Sequence, residues 1–290
     1  MSEFRLYLNL IRRSPIYLIG LILVSSFVVI GLLAPYILTK PADAWGLTYN
    51  ISRRFQPPSP EYLFGTDEYG RDVFNRVLLG TRFSLMIGVG VVALSLAIGI
   101  PVGLVAGYLG GKAGTALMRI TDMFLAFPPL LLAIALAATF GRGLLNTVLA
   151  LSLSWWPWYS RLAYIQVNSV KSLPYVDAAK VVGVGELRIM FRHVLPNSLT
   201  PIITQATLDI GSAILEASAL SFLGVGVPPP TPEWGLLVSS GWRTISRAWW
   251  ISLFPGLSIV ITVLGFNLLG DAIKELMDPR LRNLLSMRRV

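Results

Sequence analysis

Six long stretches of this chain contain almost no charged side chains, and this pattern restricts the possible folds more than any other feature. A helix needs about 17 to 25 mostly apolar residues to cross a hydrocarbon core roughly 30 Å thick. All six stretches are long enough, although the fifth contains two carboxylates. The stretches are Ser14 to Thr39, Phe83 to Gly111, Met123 to Gly141, Gly143 to Ser160, His193 to about Leu223, and Ala248 to Gly270. We therefore expect an all-α integral membrane protein with six transmembrane helices.

The overall composition indicates that lipid is the solvent of this chain. Hydrophobic residues make up 54% of the sequence and charged residues only 13%, against about 25% charged residues in soluble domains. The first stretch follows Arg5, Arg12 and Arg13. It is longer than the apolar region of a signal peptide, and no small-residue cleavage site is evident. We expect it to be a spanning helix.

Lys and Arg residues predict the orientation, because they accumulate in cytoplasmic loops. Most of the 24 basic residues fall on one side of a six-span arrangement, which places residues 1–14 and 278–290 in the cytoplasm. Residues 15–38 then form the first span, residues 39–82 an external segment and residues 83–277 a five-span core. The net charge of +9 is dispersed among the membrane-flanking loops, so it predicts no surface for nucleic acid.

The external segment carries two different signals. Its first part is rich in proline, which fixes φ and removes a backbone donor, so a single continuous helix is excluded there. A polar run from Phe64 to Arg76 follows. This run predicts a loop that leads into a short amphipathic helix on the outer surface.

No nucleotide-binding motif accompanies the predicted spans. A P-loop reads G-x-x-x-x-G-K-[ST], in which backbone N–H groups hold phosphate and the hydroxyl meets magnesium. The nearest stretch ends at Lys112, but Ala106 and Ala113 replace the first glycine and the hydroxyl residue. One His and no Cys leave no convergent nucleophile and base for a membrane enzyme. We expect no catalytic residue, no metal site and no cofactor bound by this chain, with energy from a partner or an ion gradient.

The segment between the fourth and fifth stretches carries the most specific signal. Gly183 and Gly185 separate two short helical pieces, Pro174 to Val182 and Glu186 to Val194. Apolar side chains of the second piece recur at i, i+3, i+4 and i+7 and form one face: Leu187, Met190, Phe191 and Val194. A helix of this kind fits either a groove on a partner protein or the surface of the membrane.

This segment resembles the EAA loop in the permeases of bacterial and archaeal ABC importers. The pattern reads Asp177-Ala178-Ala179, then Gly183 and later Leu195-Pro196, with Asp in place of the commoner Glu. Other stretches resemble the C-type subunit of the dipeptide, oligopeptide and nickel permease family: Phe64 to Asp72, Leu220 to Pro229, Glu233 to Gly235 and Gly270 to Arg282. The resemblance covers nearly the whole chain, with a departure at Gly114, where relatives often carry Asp.

The resemblance implies the type I importer permease fold, with a coupling helix in residues 170–196 that sits in a cleft of a cytoplasmic ATPase. It also implies a heterodimer with a homologous permease, two ABC ATPases that use ATP and Mg, and an extracytoplasmic substrate-binding protein. Di- or oligopeptides are the substrate that it favours, and nickel or oligosaccharides are the alternatives. The ATPase-coupling residues that it implies are Asp177, Ala178, Ala179, Gly183, Gly185, Glu186, Arg188, Arg192, His193, Leu195 and Pro196.

The carboxylates of the fifth stretch are candidates for the substrate pathway. Asp209 and Glu216 are seven residues apart, which is nearly two helical turns, so both lie on one face. There they would offer partners to the amino group of a peptide. The alternatives are pairing with Lys or Arg of a sister subunit, or a position near the outer boundary. An ion-coupled secondary transporter would also explain intramembrane acids. It would not explain the amphipathic segment around Gly183 and Gly185.

Two further side-chain types have structural expectations. His193 is the one histidine, and a single ligand is too few for a metal, so we expect it to contact the ATPase or cap a helix. Asp122 is expected to form an ion pair or helix-end contact near the cytoplasmic boundary. The tryptophans are expected to form interfacial belts: Trp155, Trp156, Trp158, Trp242, Trp249 and Trp250.

Overall fold

The computed structural model describes residues 15–277, and the predicted cytoplasmic termini, residues 1–14 and 278–290, lie outside the described residues. Within the described range the regular structure is helical, apart from one isolated β-bridge between Thr66 and Asp72. This confirms the predicted all-α class. The helices are α1 Pro15–Ile37, α2 Pro41–Ala44, a 3₁₀ turn Ile51–Arg53, α3 Val73–Leu109, α4 Gly111–Leu125, α5 Pro129–Phe140, α6 Leu144–Lys171, α7 Pro174–Val181, α8 Glu186–Ile189, a π-helical turn Met190–Val194, α9 Leu195–Phe222, α10 Trp234–Trp242 and α11 Trp250–Met277.

Three helices of the described chain, α1, α3 and α11, are long and apolar enough to span a membrane, and α4 with α5 qualifies as one broken span. Helices α6 and α9 have 28 residues each, about 42 Å at 1.5 Å per residue. Their hydropathy is lower because they carry polar side chains that are buried inside the bundle: Ser152, Ser154 and Ser160 in α6, and Ser198, Thr204, Asp209, Ser218 and Ser221 in α9. The count of six spans stays a prediction.

Helix α3 begins well before the predicted second span. The side chain of Asp72 caps it by accepting the N–H of Asn75 at 3.0 Å, and the helix then runs unbroken for 37 residues. Asn75 is buried, and its side-chain oxygen accepts the N–H groups of Thr39 and Lys40 at 2.9 and 3.2 Å. The polar run at residues 64–76 therefore ends inside a long helix and does not form the separate surface helix that we predicted.

The region of the predicted third span is sharply bent. Helices α4 and α5 meet at 86°, and the bend falls where Pro128 and Pro129 follow Phe127. A residue that precedes proline is driven out of the helical region, which explains why the helix stops there. At the other end of α4, Gly110 and Gly111 adopt positive φ and turn the chain out of α3.

Helix α3 packs closely against α6 because a row of glycines faces it. Gly99, Gly103 and Gly107 recur every four residues, and a Cβ at Gly103 would lie 2.3 Å from the carbonyl oxygen of Ser160. Small residues of this kind let membrane helices approach closely. Helix α9 packs on both α3 and α6, so its carboxylates lie inside the bundle.

The two ends of α3 place the remaining segments at opposite ends of the molecule. At the Val73 end, the segment 39–72 covers the start of α11, where Trp250 donates its Nε1–H to the carbonyl of Thr66 at 3.1 Å. At the Leu109 end lies the segment 170–196. The 37 residues of α3 separate these ends by about 54 Å.

Candidate coupling site and substrate pathway

The coupling segment, residues 170–196, folds into the two short helices that its glycines predict. Pro174 begins α7 in the first helical turn, where its missing N–H costs no intrahelical bond. Gly183 has a φ of +80°, and its N–H bonds to the carbonyl of Lys180 at 2.9 Å. Gly185 precedes α8 with open space on its Cβ side. The turn between the two helices is therefore exposed and free to contact another molecule.

Large apolar side chains on this segment point away from the bundle. Val181 and Val182 are 86% and 77% exposed, and Leu187 and Phe191 are 71% and 56% exposed. Exposed apolar patches mark contact surfaces. The charged residues Asp177, Lys180, Glu186, Arg188 and Arg192, together with Ala178, are exposed on the same segment, and Ala179 is half-buried.

The predicted apolar face of the second helix is divided in two. Met190 and Val194 are buried, whereas Leu187 and Phe191 are exposed. Met190 and Val194 are four residues apart, as are Leu187 and Phe191, so each pair lies on one side of the helix. Met190 and Val194 pack against the ends of α3 and α6. The turn Met190–Val194 is π-helical. Met190 and Val194 anchor the segment to the bundle, and Leu187 and Phe191 remain exposed to a partner.

The buried half anchors the coupling segment to the ends of α3 and α6. The hydroxyl of Tyr108 donates to the carboxylate of Glu186, and the ammonium of Lys171 donates to the backbone carbonyl of Tyr108. Apolar side chains from α3, α6 and the coupling segment pack together in one buried cluster: Leu104, Tyr108, Val167, Val170, Val176, Ile189, Met190 and Val194. A displacement of this segment would therefore be passed to α3 and α6.

The predicted residues at the end of the segment lead directly into α9. The half-exposed His193 accepts, through its backbone carbonyl, hydrogen bonds from Tyr175 Oη at 3.2 Å and Asn197 Nδ2 at 2.7 Å. Leu195 begins α9, and Pro196 lies in its first turn. The coupling segment and the fifth predicted span are thus continuous, without a flexible loop between them.

The two carboxylates of α9 face α6 and accept hydrogen bonds from aromatic side chains. Asp209 accepts from Tyr159 Oη at 2.7 Å and from Gln205 Nε2 at 2.9 Å, and Glu216 accepts from Trp155 Nε1 at 2.8 Å. Asp209 is 9% exposed, while Glu216 is half-buried. The predicted common face is present, and it is held by two acid–aromatic pairs that bridge the helices.

A cavity of about 360 Å³ opens between α6, α9 and α11 beside this face. Gln205, which binds Asp209, also lines the cavity. The other lining residues mix polar and apolar side chains, namely Leu162, Thr200, Pro201, Thr204, Leu208, Lys274 and Met277. Asp209 is therefore connected through Gln205 to a partly polar space.

Tryptophan positions were predicted only in part. Trp158, Trp242 and Trp249 are exposed, but Trp156 and Trp250 are 8% and 5% exposed and belong to the packed interior, so the belt prediction is wrong for these two. The predicted belt residue Trp155 instead binds Glu216. Its four-residue spacing from Tyr159 was the sequence signal that could have revealed the pairs. Asp122 forms the expected ion pair, with Arg161.

This arrangement of helices is similar to that of a chain in a solved ABC transporter. A chain of the MetNI methionine ABC transporter, solved in inward-facing conformations, superposes with a TM-score of 0.59 at 16% identity, over 70% of this chain and 97% of that chain. At this identity the likeness concerns the fold alone. It confirms the predicted type I permease architecture for a multi-pass membrane protein.

Sequence comparison identifies the family. The family described as "Binding-protein-dependent transport system inner membrane component" matches residues 99–283, and this chain belongs to it. The dipeptide transport system permease protein DppC of Alkalihalophilus pseudofirmus is 43% identical, over 98% of this chain and 92% of the relative. The di/tripeptide permease protein DppC of Pseudomonas aeruginosa is 44% identical, over 91% and 88%. The chain is thus a transport permease and not a catalytic subunit.

Proposed function

We propose that this chain is one of two homologous permease subunits in an ATP-driven importer of di- or oligopeptides. The observation that carries the proposal is the coupling segment, whose exposed apolar side chains lie beside Arg188 and Arg192 while its inner face is anchored to α3 and α6. Relatives named for dipeptide and di/tripeptide transport support peptides as the substrate. The sister permease completes the pathway as a heterodimer.

In this proposal two ABC ATPases bind ATP and Mg, and the chain itself binds neither. Closure of the ATPases pushes the segment from Asp177 to Pro196. The bond between Tyr108 and Glu186 passes the movement to α3, and the continuous helix α9 passes it to the acid–aromatic pairs. The bundle then opens outward to an extracytoplasmic substrate-binding protein, and hydrolysis resets it. The chain lies in the cell (inner) membrane with both termini cytoplasmic.

Asp209 and Glu216 contribute to the substrate pathway in this proposal. Carboxylates form strong charge-assisted hydrogen bonds with ammonium groups, so they would give transient partners to a peptide amino terminus. Tyr159 and Trp155 hold the two carboxylates in fixed positions. Asp209→Asn with Glu216→Gln is expected to reduce peptide uptake while the importer still assembles. Unchanged uptake at normal assembly would remove these residues from the pathway.

Affinity purification of the tagged chain from detergent-solubilised native membranes tests the assembly. The expected companions in mass spectrometry are a second permease, one or two P-loop ATPases and a substrate-binding protein. A peptide bound to the last protein supports the substrate assignment, whereas nickel or an oligosaccharide would replace it. A stable homo-oligomer without any ATPase would contradict the proposal and favour an ion-coupled secondary transporter.

A further inference from the structure

The cavity of about 360 Å³ between α6, α9 and α11 lies at the end of the bundle that carries the coupling segment. Two of its lining residues, Thr200 and Pro201, fall in the second turn of α9, directly after that segment. Two others, Lys274 and Met277, belong to the last described turn of α11. In the proposed orientation, the cavity therefore lies toward the cytoplasm.

The cavity continues the row of acid–aromatic pairs between α6 and α9. On α6, Leu162 follows Tyr159 by three residues, so it lies on the helix face that carries Tyr159. On α9, Gln205 precedes Asp209 by one helical turn and donates its Nε2–H to that carboxylate at 2.9 Å. Leu162 and Gln205 both line the cavity. A molecule that passes the two carboxylates toward the coupling end would therefore meet this cavity next.

Three polar groups that line the cavity have no partner within residues 15–277. An ionised carboxylate only accepts hydrogen bonds, so Gln205 turns its N–H toward Asp209 and leaves its Oε1 without a donor. The hydroxyl of Thr200 forms no hydrogen bond, and the ammonium of Lys274 forms no ion pair, within the same range. Thr204 differs, because its hydroxyl donates to the carbonyl of Thr200 at 3.0 Å. One cation, one acceptor and one hydroxyl thus remain available to a ligand.

The lining has the composition of a small-molecule site. Such sites measure about 300 to 1,000 Å³ and are mainly apolar, with a few placed polar groups. Here the apolar residues are Leu162, Pro201, Leu208 and Met277. The ammonium of Lys274 can pair with a carboxylate, and the amide oxygen of Gln205 can accept from an ammonium group. A free short peptide carries both of these charged groups, one at each end.

We infer that this cavity binds a short zwitterionic peptide beyond Asp209 and Glu216, an inference that rests on the proposed function. Lys274 pairs with the terminal carboxylate of the peptide, and Gln205 accepts a hydrogen bond from its terminal ammonium. The two carboxylates of α9 recognise only the amino end, whereas the cavity adds recognition of the carboxyl end. Lys274 is therefore a specificity-determining residue, which favours free peptides over peptides with a blocked carboxyl terminus.

Equilibrium binding to the permease–ATPase assembly in nanodiscs, washed free of substrate-binding protein, tests this inference. The probes are radiolabelled L-alanyl-L-alanine and its carboxyl-terminal amide. The wild-type assembly is expected to bind the free dipeptide about tenfold more tightly than the amide, as for one hydrogen bond between charged groups. Lys274→Met is expected to lose this tenfold and to bind both probes equally. The matched control is Lys112→Met, which removes an exposed lysine of α4 at the same end and should keep the wild-type preference.

A conservative variant and an uptake assay make the outcomes distinct. Lys274→Arg keeps the charge and is expected to keep the preference for the free dipeptide, and recovery of each variant with its ATPases shows that it folds. Equal affinity of the wild type for both probes, or no saturable binding of the dipeptide, would overturn the inference. A preference that persists in Lys274→Met would also overturn it.

ATP-dependent uptake by the complete wild-type importer separates this inference from the proposed function. Peptide uptake without a carboxylate-selective site contradicts the inference alone. Uptake of nickel or an oligosaccharide in place of peptides contradicts the proposed substrate itself.

Discussion

The two ends of helix α3 are built in opposite ways. At its Val73 end, which is external in the proposed orientation, Glu233 is fully buried and accepts four hydrogen bonds. Two come from the N–H groups of Gly235 and Leu236 at 2.9 Å, and two come from the hydroxyls of Ser84 and Ser218 at 3.4 and 3.3 Å. These bonds tie α3, α9 and α10 together. At the Leu109 end, which is cytoplasmic in the proposed orientation, two hydrogen bonds and one apolar cluster attach the coupling segment, and large apolar side chains stay exposed.

The difference shows which end is fixed by internal bonds and which end is completed by a partner. Buried polar groups must all be satisfied, so a network such as that of Glu233 fixes one arrangement of the helices. An exposed apolar face leaves free energy to be gained from association. We therefore expect changes at the external end to lower stability, and changes at the coupling end to lower ATPase binding and transport at unchanged stability.

The largest expected effect follows from Leu187→Asp with Phe191→Asp at the coupling end. Two buried anchors of an interface, each contributing at least about 2 kcal/mol, give about a thousandfold loss of ATPase affinity. Pull-down with the purified ATPases measures it. The matched control is Leu47→Asp with Ile51→Asp, two exposed apolar residues at the opposite end, and it is expected to retain ATPase binding. Equal losses in both variants would contradict the comparison.

Glu233→Ala tests the external end. It leaves two backbone donors and two hydroxyls without their acceptor, which costs roughly 2 to 3 kcal/mol and lowers the melting temperature by about 5 to 10 °C. Thermal unfolding in detergent measures this change. Glu61→Gln replaces an exposed acid in the same external region and is expected to leave the melting temperature unchanged. A Glu233→Ala protein with the wild-type melting temperature would show that the network does not fix this end.

Tyr108→Phe removes the hydrogen bond from the Tyr108 hydroxyl to Glu186 and keeps the bond from Lys171 to the Tyr108 carbonyl. We expect ATPase binding to persist and uptake per ATP hydrolysed to fall by about fivefold, which corresponds to about 1 kcal/mol for one lost hydrogen bond. Uptake and ATPase activity measured on the same proteoliposomes give this ratio. Tyr164→Phe is the matched control, because the hydroxyl of Tyr164 has no hydrogen bond within residues 15–277. A normal ratio in Tyr108→Phe would mean that the bond between Tyr108 and Glu186 is not needed to transmit the movement.

The smallest expected effect is a pH dependence of stability. Burial raises the pKa of Glu233 above its ordinary value of 4.5, although hydrogen bonds from Gly235 and Leu236 oppose the shift. Its stabilising contribution is therefore fully present below 4.5 and is lost as the pH rises through the folded-state pKa. The Glu233→Gln variant lacks this pH-dependent contribution to stability, because a glutamine side chain does not titrate. Melting curves from about pH 4 to pH 8 should show the difference between the two proteins changing with pH, and parallel curves would contradict the assignment.

The sequence predicted features that depend on composition or on the local backbone restrictions of glycine and proline. Gly183, Gly185 and Pro196 mark the boundaries of the coupling segment because their backbone restrictions act locally. The seven-residue spacing of Asp209 and Glu216 placed both on one face, as the helix period requires. The all-α membrane class followed from apolar length alone.

The sequence did not predict features that depend on contacts across the bundle. The early start of α3 was missed because Asn75 is polar, and its burial depends on Thr39 and Lys40 from another segment. The divided face around Phe191 was missed because only contacts with the ends of α3 and α6 decide which apolar side chains are buried. Trp155 was assigned to a belt because its four-residue spacing from Tyr159 was not matched to the seven-residue spacing of Glu216 and Asp209 on another helix.

The central claim is that an ATPase covers the exposed face of the coupling segment, and cysteine labelling tests it most directly. The chain contains no cysteine, so Val182→Cys and the external control Ser52→Cys each give a single reactive site. Both side chains are exposed in the isolated chain, and both variants should react readily with a maleimide. In the assembled importer, Val182→Cys should be protected and Ser52→Cys should label as before. Equal labelling of Val182→Cys with and without the ATPases would contradict the account.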